Sequence, residues 1–332
     1  MQFPFLLVIS VVMGIVPMLI YATFLWWFDR WEKEPLHLLA AAFLWGFVPS
    51  AILAIIAQLV LDIPTSAVLN YNQLAYELVS GSIIAPLTEE SIKAVALLMI
   101  FIFFSREFDS PLDGIIYGSL AGFGFAAIEN VLYFVSGGSQ DLANLGCLIF
   151  MRAFLFGLNH AFFTSLTGIG FALARYQKNV LLKLLLPLLG LGAAVFSHGL
   201  HNGLATFGLV GIPFAVLADW FGVLGVLTVA LVSLASEAGW IKTYLAEEVH
   251  LGTLTARQAA TVGSFSGRIG VELRAWGGGP GLWWRTRRFY QQCAELAFKK
   301  HLLDKMGNEG GNGAVVEKLR GEVQAFSQKM VE

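Results

Sequence analysis

The chain has 332 residues, of which 57% are hydrophobic and only 13% charged, with a formal net charge of −2. Soluble domains carry about 25% charge, so a secreted or freely cytoplasmic enzyme and a disordered chain are excluded, and the near-neutral balance argues against a nucleic-acid partner. Two distant cysteines, Cys147 and Cys293, provide neither a disulfide framework nor a Cys-x-x-Cys zinc site.

Charge divides the chain. Residues 1–235 hold 8 Lys/Arg and 13 Asp/Glu, whereas the far shorter stretch 236–332 holds 13 and 10. The expected domains are therefore a membrane domain over 1–235 and a soluble, mostly helical tail over 236–332. A spanning helix needs about 20 mostly apolar residues. Seven stretches qualify, near 4–27, 37–61, 82–104, 112–135, 146–174, 181–206 and 209–235. They are too long and continuous for barrel strands, so the predicted fold is all-α, a polytopic membrane protein of about seven transmembrane helices with a helical cytoplasmic tail. The first stretch lacks a basic leader region and reads as a retained helix. The weakly apolar segment 61–80 reads as an outer loop or an interfacial helix.

Lys and Arg set the orientation. The first, third and fifth connections hold Arg30, Lys33, Arg106, Arg175, Lys178 and Lys183, and the second, fourth and sixth hold none. This places the N-terminus outside and the C-terminus in the cytoplasm of a multi-pass protein of the cell membrane. In the tail, Gly277–Gly281 is a helix breaker, and helices near 283–306 and 314–330 form an antiparallel pair joined by 307–313. The tail offers a surface for a cytoplasmic partner. Arg285, Arg287 and Arg288 read as a solvated helix face, with anionic lipid as the other reading.

Charged residues within spans are expensive and mark function by default. The third span holds Glu89, Glu90 and Lys93, and the fourth Glu129 and Asn130. The fifth holds Arg152, Asn159, His160 and Thr164, the sixth His198, His201 and Asn202, and the seventh an isolated Asp219. Glu89 and Lys93 share a helix face at i,i+4, as do His160 and Thr164, and His198 and Asn202. At 1.5 Å per residue, Glu89, Glu129 and His198 fall about 9–12 Å from the outer ends of their spans. His160 falls deeper, about 20 Å, in an overlong span. Four polar stripes that cannot face lipid should converge in the outer half of the bilayer. Arg152 reads as a counter-ion. The Gly114, Gly118, Gly122 face of the fourth span reads as close helix packing, with a movable gate as the alternative.

The motifs Glu89-Glu-Ser-Ile-Lys93, Phe125-Ala-Ala-Ile-Glu129-Asn130, His160-Ala-Phe-Phe-Thr164 and His198-Gly-Leu-His-Asn202 occur in order. Together with the loop Asp29-Arg-Trp-Glu-Lys-Glu-Pro35, they resemble the PrsW family of intramembrane proteases, relatives of the type II CAAX prenyl proteases. The resemblance covers roughly residues 1–235. It implies hydrolysis of a peptide bond in a membrane-anchored protein of the anti-sigma-factor kind, cut on its extracytoplasmic side. It also implies a site of Glu89, Glu90, Glu129, His160, His198 and Asn202, with Lys93, Asn130 and Thr164 in support.

Two chemistries remain open. A glutamate can activate water, with Lys93 paired to Glu89 and Glu90 nearer the water, or the reverse. Alternatively, Glu129, His160 and His198 match the ligand types of a catalytic zinc. Asn202 is an oxyanion donor in either version. A proton-coupled transporter lacks support from any inverted repeat, and an inactive peptide-binding homologue sits poorly with four intact motifs.

Overall fold

A computed structural model of the chain describes residues 2–69, 71–137 and 142–331. Residues 138–141, in the expected fourth connection, lie outside them. The described residues contain helices and no strand. Six helical stretches among the described residues are long and apolar enough to cross a membrane, counting Leu142–Arg175 as one despite its interruption at 156–158. The remaining expected span is helical too, but three charges, Glu89, Glu90 and Lys93, set it apart from those six.

In chain order, α1 is Gln2–Phe28 and α2 is Leu36–Leu69. A π-helical turn, Gly46–Ser50, within α2 accommodates Pro49, which cannot donate to a regular ladder. The helix continues past residue 61 to Leu69, so of the two readings of 61–80, an outer loop or an interfacial helix, this part is helical. A short helix Gln73–Val79 and a second π-helical turn, Ser80–Ile84, lead into α3, Ala85–Phe103. Then come α4, Pro111–Gly137, and α5, Leu142–Ile149. A third π-helical turn, Phe150–Leu155, precedes α6, Asn159–Arg175. The bundle is completed by α7, Val180–Thr206, and by α8, Gly208–His250. At 43 residues α8 is about 64 Å long, roughly twice the hydrocarbon thickness.

The chain forms two compact units, one of Met1–Trp27 with Glu34–Ala230, the other of Phe28–Lys33 with Leu231–Glu332. At the centre of the first is α4, buried from Leu112 to Ala127. An all-round apolar helix is stable only when enclosed, and small residues allow the enclosing backbones to approach. A Cβ on Gly46 would strike the carbonyl of Ala121, and one on Gly122 would strike the carbonyl of His160. The glycine face of α4 is thus closed against the backbone of α6, which is the static packing rather than a gate.

The fifth expected span is not one continuous helix. After the π-helical turn, Phe156 leaves helical geometry at φ −109° and ψ 11°, and α6 starts afresh at Asn159. The Tyr21 hydroxyl donates to Ala153 O at 3.0 Å and so satisfies a carbonyl at the break. This places His160 in the first turn of a new helix, and the depth estimated from an unbroken span does not apply to it.

In the second unit, α9 (Ala256–Val262) and α10 (Phe265–Gly277) fill the stretch that composition left undefined. Thr255 caps α9 with a reciprocal Gln258 box, and Ser264 caps α10. Helices α11, Pro280–Met306, and α12, Asn312–Val331, follow. Their core joins Phe289, Cys293, Leu296 and Phe298 to Trp31 and to Ile241 and Leu245 of α8.

Candidate active site

A cavity of about 480 Å³ opens within the membrane unit. Its wall includes Glu89 from α3, Glu129 from α4, Arg152 before α6, His160 from α6, and His198 and Asn202 from α7. Helix periodicity explains why each helix presents a group here. Every one of these residues sits on the polar stripe of an otherwise apolar helix, and the stripes meet because lipid cannot solvate them.

Glu89 and Glu90 are adjacent but face different surroundings. Glu90 is fully buried and lies behind the wall. Its Oε1 takes the Lys93 ammonium at 2.5 Å and His198 Nδ1 at 2.9 Å, and its Oε2 accepts from the Thr164 hydroxyl at 2.8 Å. Glu89 lines the cavity. Its Oε1 accepts from Gln58 Nε2 at 3.1 Å, while its buried Oε2 has no hydrogen-bond partner among the described residues. Lys93 Nζ is 3.9 Å from that oxygen. Of the two pairings the sequence left open, the geometry shows the second: Lys93 holds Glu90, and Glu89 is the carboxylate nearer the space for water.

His160 Nε2 meets Glu129 Oε2 at 2.8 Å, and its Nδ1 meets Lys93 Nζ at 3.1 Å. His198 uses Nδ1 on Glu90, and its Nε2 lies 3.9 Å from Glu89 Oε2. The two imidazoles are edge to face, 5.1 Å apart, and Phe163 stacks on His198 at 4.8 Å. Phe125 faces Lys93 at 4.3 Å and lies 5.3 Å from His160. These phenylalanines wall the site and do not face lipid. Asn202 lines the cavity and donates to Gly81 O, in the π-helical turn before α3, at 2.8 Å.

Glu129 does not group with the two histidines as a third ligand. Its Oε2 is taken by Arg152 Nη2 at 2.5 Å as well as by His160, while Arg152 Nε donates to Asn130 Oδ1 at 3.1 Å. Arg152 is thus the counter-ion the sequence indicated. The three side chains whose ligand atoms lie within 4.8 Å of one another are Glu89, His160 and His198. The carboxylate in that cluster comes from α3, not α4.

Two features escaped the sequence reading. Gln58, a lone amide in an apolar run, donates to Glu89 from α2. Asp219 is not isolated: its Oδ2 meets His201 Nδ1 at 2.7 Å and Asn159 Nδ2 at 2.8 Å. The signal for this second cluster was present, since His201 follows His198 by three residues on the same stripe of α7.

Comparisons with known proteins agree on one family. The family described as PrsW family intramembrane metalloprotease matches residues 34–235. Protease PrsW of Oceanobacillus iheyensis is 29% identical over 213 residues, covering 61% of this chain and 88% of that protein. Protease PrsW of Bacillus subtilis is 29% identical over 215 residues, covering 63% and 90%. Protease PrsW of Clostridioides difficile is 34% identical over 131 residues, covering 40% and 52%. No solved structure matches the chain. With the family match spanning the buried carboxylates, both histidine motifs and the helices that carry them, the chain belongs to the PrsW family of intramembrane metalloproteases.

Proposed function

We propose that the protein is an endopeptidase that cuts a membrane-anchored protein substrate, of the anti-sigma-factor kind, on its extracytoplasmic side, with Glu89 as the group that activates water. The observation that carries this reading is the unengaged Oε2 of Glu89, on the cavity wall beside His160 and His198. Amide hydrolysis needs an activated water, stabilisation of the oxyanion and a proton for the leaving amine. Without a metal, Glu89 Oε2 accepts the water's proton; with zinc held by Glu89, His160 and His198, the carboxylate would be a ligand and the water would be activated by the ion. Asn202, with one of its two amide hydrogens committed to Gly81, offers the other to the oxyanion. His201 lines the cavity, and with Nδ1 held by Asp219 its doubly protonated ring would give the leaving nitrogen a proton from Nε2.

The family description implies a metal. Two imidazoles and a carboxylate are the donor set of a catalytic zinc with an open position. His198 is braced by Glu90 and His160 by Glu129, as zinc-binding histidines are braced by carboxylates. Glu89, His160 and His198 therefore fit a zinc ion, with Lys93 competing for His160 Nδ1. When bound, it would polarise the scissile carbonyl and lower the pKa of the attacking water.

The decisive experiment reconstitutes the protein in liposomes with a single-pass substrate. Glu89→Gln is expected to slow cleavage by about a hundredfold or more while leaving the thermal unfolding profile in place. Cleavage within about twofold of wild type would overturn the assignment. Elemental analysis of the same preparation is expected to find about one equivalent of zinc, removable by chelator. An active sample nearly free of metal would leave water activation to Glu89 alone. For the orientation, we propose an external N-terminus and a cytoplasmic C-terminus in the cell membrane. A C-terminal reporter active only outside the cytoplasm would refute it.

A further inference from the structure

The tail unit buries most of its large apolar side chains. Among the described residues beyond 235, those left exposed are Leu251, Phe265, Leu273, Trp276, Leu282 and Trp284. All but Leu251 fall between 265 and 284. On α10, Phe265, Ile269, Leu273 and Trp276 follow the spacing i, i+4, i+8, i+11, which puts them within about 80° of one another around the helix. The other side of α10 is already used: Arg268 and Ala275 are buried, and Val271 packs on the unit's core. The helix therefore has one satisfied apolar face and one bare one. The bare face runs on into α11, where Trp283 meets Trp276 edge to face at 5.4 Å and Trp284 follows at 6.2 Å from Trp283.

Charge is concentrated on the same segment. Residues 251–290 carry six Arg and a single acidic residue, Glu272, whereas 291–332 balance six basic against six acidic residues. Arg274, Arg285 and Arg288 are exposed. Arg287 lies over the Trp283 ring at 5.3 Å. An exposed aromatic face edged by arginine matches an element lying in a headgroup layer.

The chain itself keeps this face near a membrane boundary. Arg268 Nη1 donates to Arg30 O at 2.8 Å, and the Arg30 guanidinium lies 5.1 Å from the Phe265 ring. Arg30 is two residues beyond the end of α1, which finishes Trp26-Trp27-Phe28, an aromatic ending typical of a bilayer interface. At 3.8 Å between consecutive Cα atoms, Arg30 lies no more than about 8 Å from the last residue of that span.

We propose that α10 and the first turn of α11 lie on the anionic headgroup layer from which α1 emerges. Phe265, Leu273, Trp276 and Trp284 enter the acyl boundary, and Arg274, Arg285 and Arg288 contact lipid phosphates. This inference rests on the membrane placement of α1 and is independent of the proteolytic reading.

The test uses the full chain with Cys147→Ser, since Cys293 is buried. A nitroxide is placed at Leu273→Cys, Trp276→Cys or, as control, Lys318→Cys. Each protein is reconstituted in nanodiscs of phosphatidylcholine alone or with phosphatidylglycerol, and accessibility to oxygen and to a water-soluble nickel complex is measured. The labels at 273 and 276 are expected to favour oxygen, and the label at 318 to favour nickel. High salt, or the triple change Arg274→Gln, Arg285→Gln, Arg288→Gln, shifts the 273 label toward nickel in the phosphatidylglycerol discs. A 273 label as water-accessible as the 318 label in both lipids overturns the proposal. So does a 273 label shielded from both reagents with spin–spin broadening, which would place a second copy of the chain on the face. Lipid contact insensitive to phosphatidylglycerol and salt overturns the role given to the arginines.

Discussion

Replacing Lys93 by Met should destabilise the protein by about 3 kcal/mol, and a second substitution should recover most of the loss. Lys93 and Glu90 are both fully buried, with Nζ 2.5 Å from Oε1. At that separation and an effective dielectric near 20, their attraction is about 7 kcal/mol. Desolvating the two ions costs several kcal/mol each, so the intact pair is close to neutral in net stability. Its loss is not neutral. Lys93→Met leaves a buried carboxylate held only by Thr164 and His198 among the described residues, and breaking such a pair costs about 3–5 kcal/mol. The two surviving hydrogen bonds place the cost at the lower end. Glu90→Gln in that background removes the stranded charge and should restore about 2 kcal/mol. The four proteins of the cycle are compared by tryptophan fluorescence during unfolding in mixed micelles of increasing SDS content. Single effects that add to the double within about 0.5 kcal/mol would refute the coupling.

Further outcomes follow from other contacts. Gly122→Ala forces a methyl against the His160 carbonyl and should cost about 1–3 kcal/mol while slowing cleavage; wild-type behaviour in both assays would show that α4 and α6 separate freely. Asp219→Asn should slow amide cleavage more than cleavage of the matching ester, whose leaving oxygen needs little protonation, and equal losses would leave Asp219 with a purely structural role. In the tail, burial, reinforced by Lys305, lowers the pKa of His301 from 6.5 to about 4. Its ring stacks on Trp240 at 4.0 Å. The unfolded chain then binds the extra proton first, so this burial stabilises the tail above pH 6.5 and loses its effect as pH falls from 6.5 towards 4. A tryptophan-fluorescence step near pH 4 that His301→Gln abolishes is expected, and a step at 6.5 would contradict it.

Much of the site was legible because the membrane makes polar residues conspicuous. Glu89, Glu129, His160 and His198 each interrupt an apolar run, and helical spacing assigns them to stripes that must meet. What spacing did not provide was which carboxylate each cation takes. Glu89 and Glu90 differ by about 100° around α3, and only the position of Thr164 and His198 on neighbouring helices decides that Lys93 goes to Glu90. The break before α6 was equally hidden. Residues 146–174 are apolar enough on average to pass for one span despite Arg152, Asn159 and His160, and hydropathy does not register where a ladder changes from π-helical to open. Asp219 looked solitary because its partners, His201 and Asn159, lie on two other helices. In the tail, the glycine breakers and the α11–α12 pair were visible from composition. Helices α9 and α10 were not, since their mixed polarity reflects packing on Trp31 and α8, far away in sequence.

The burial of Trp31 in the tail's core also sets an order of events during synthesis. Its carbonyl accepts from Gln291 Nε2, 260 positions later, at 3.1 Å, and its indole donates to Leu234 O. At about 5–20 residues per second, the loop carrying Trp31 waits roughly 13–50 s on the ribosome's clock before that partner exists. Helices α2 to α10 are all made in the interval. A nascent chain therefore displays an unsatisfied tryptophan next to its first span for as long as the tail is unfinished. Until the tail is made, that ring marks the chain locally as unfinished.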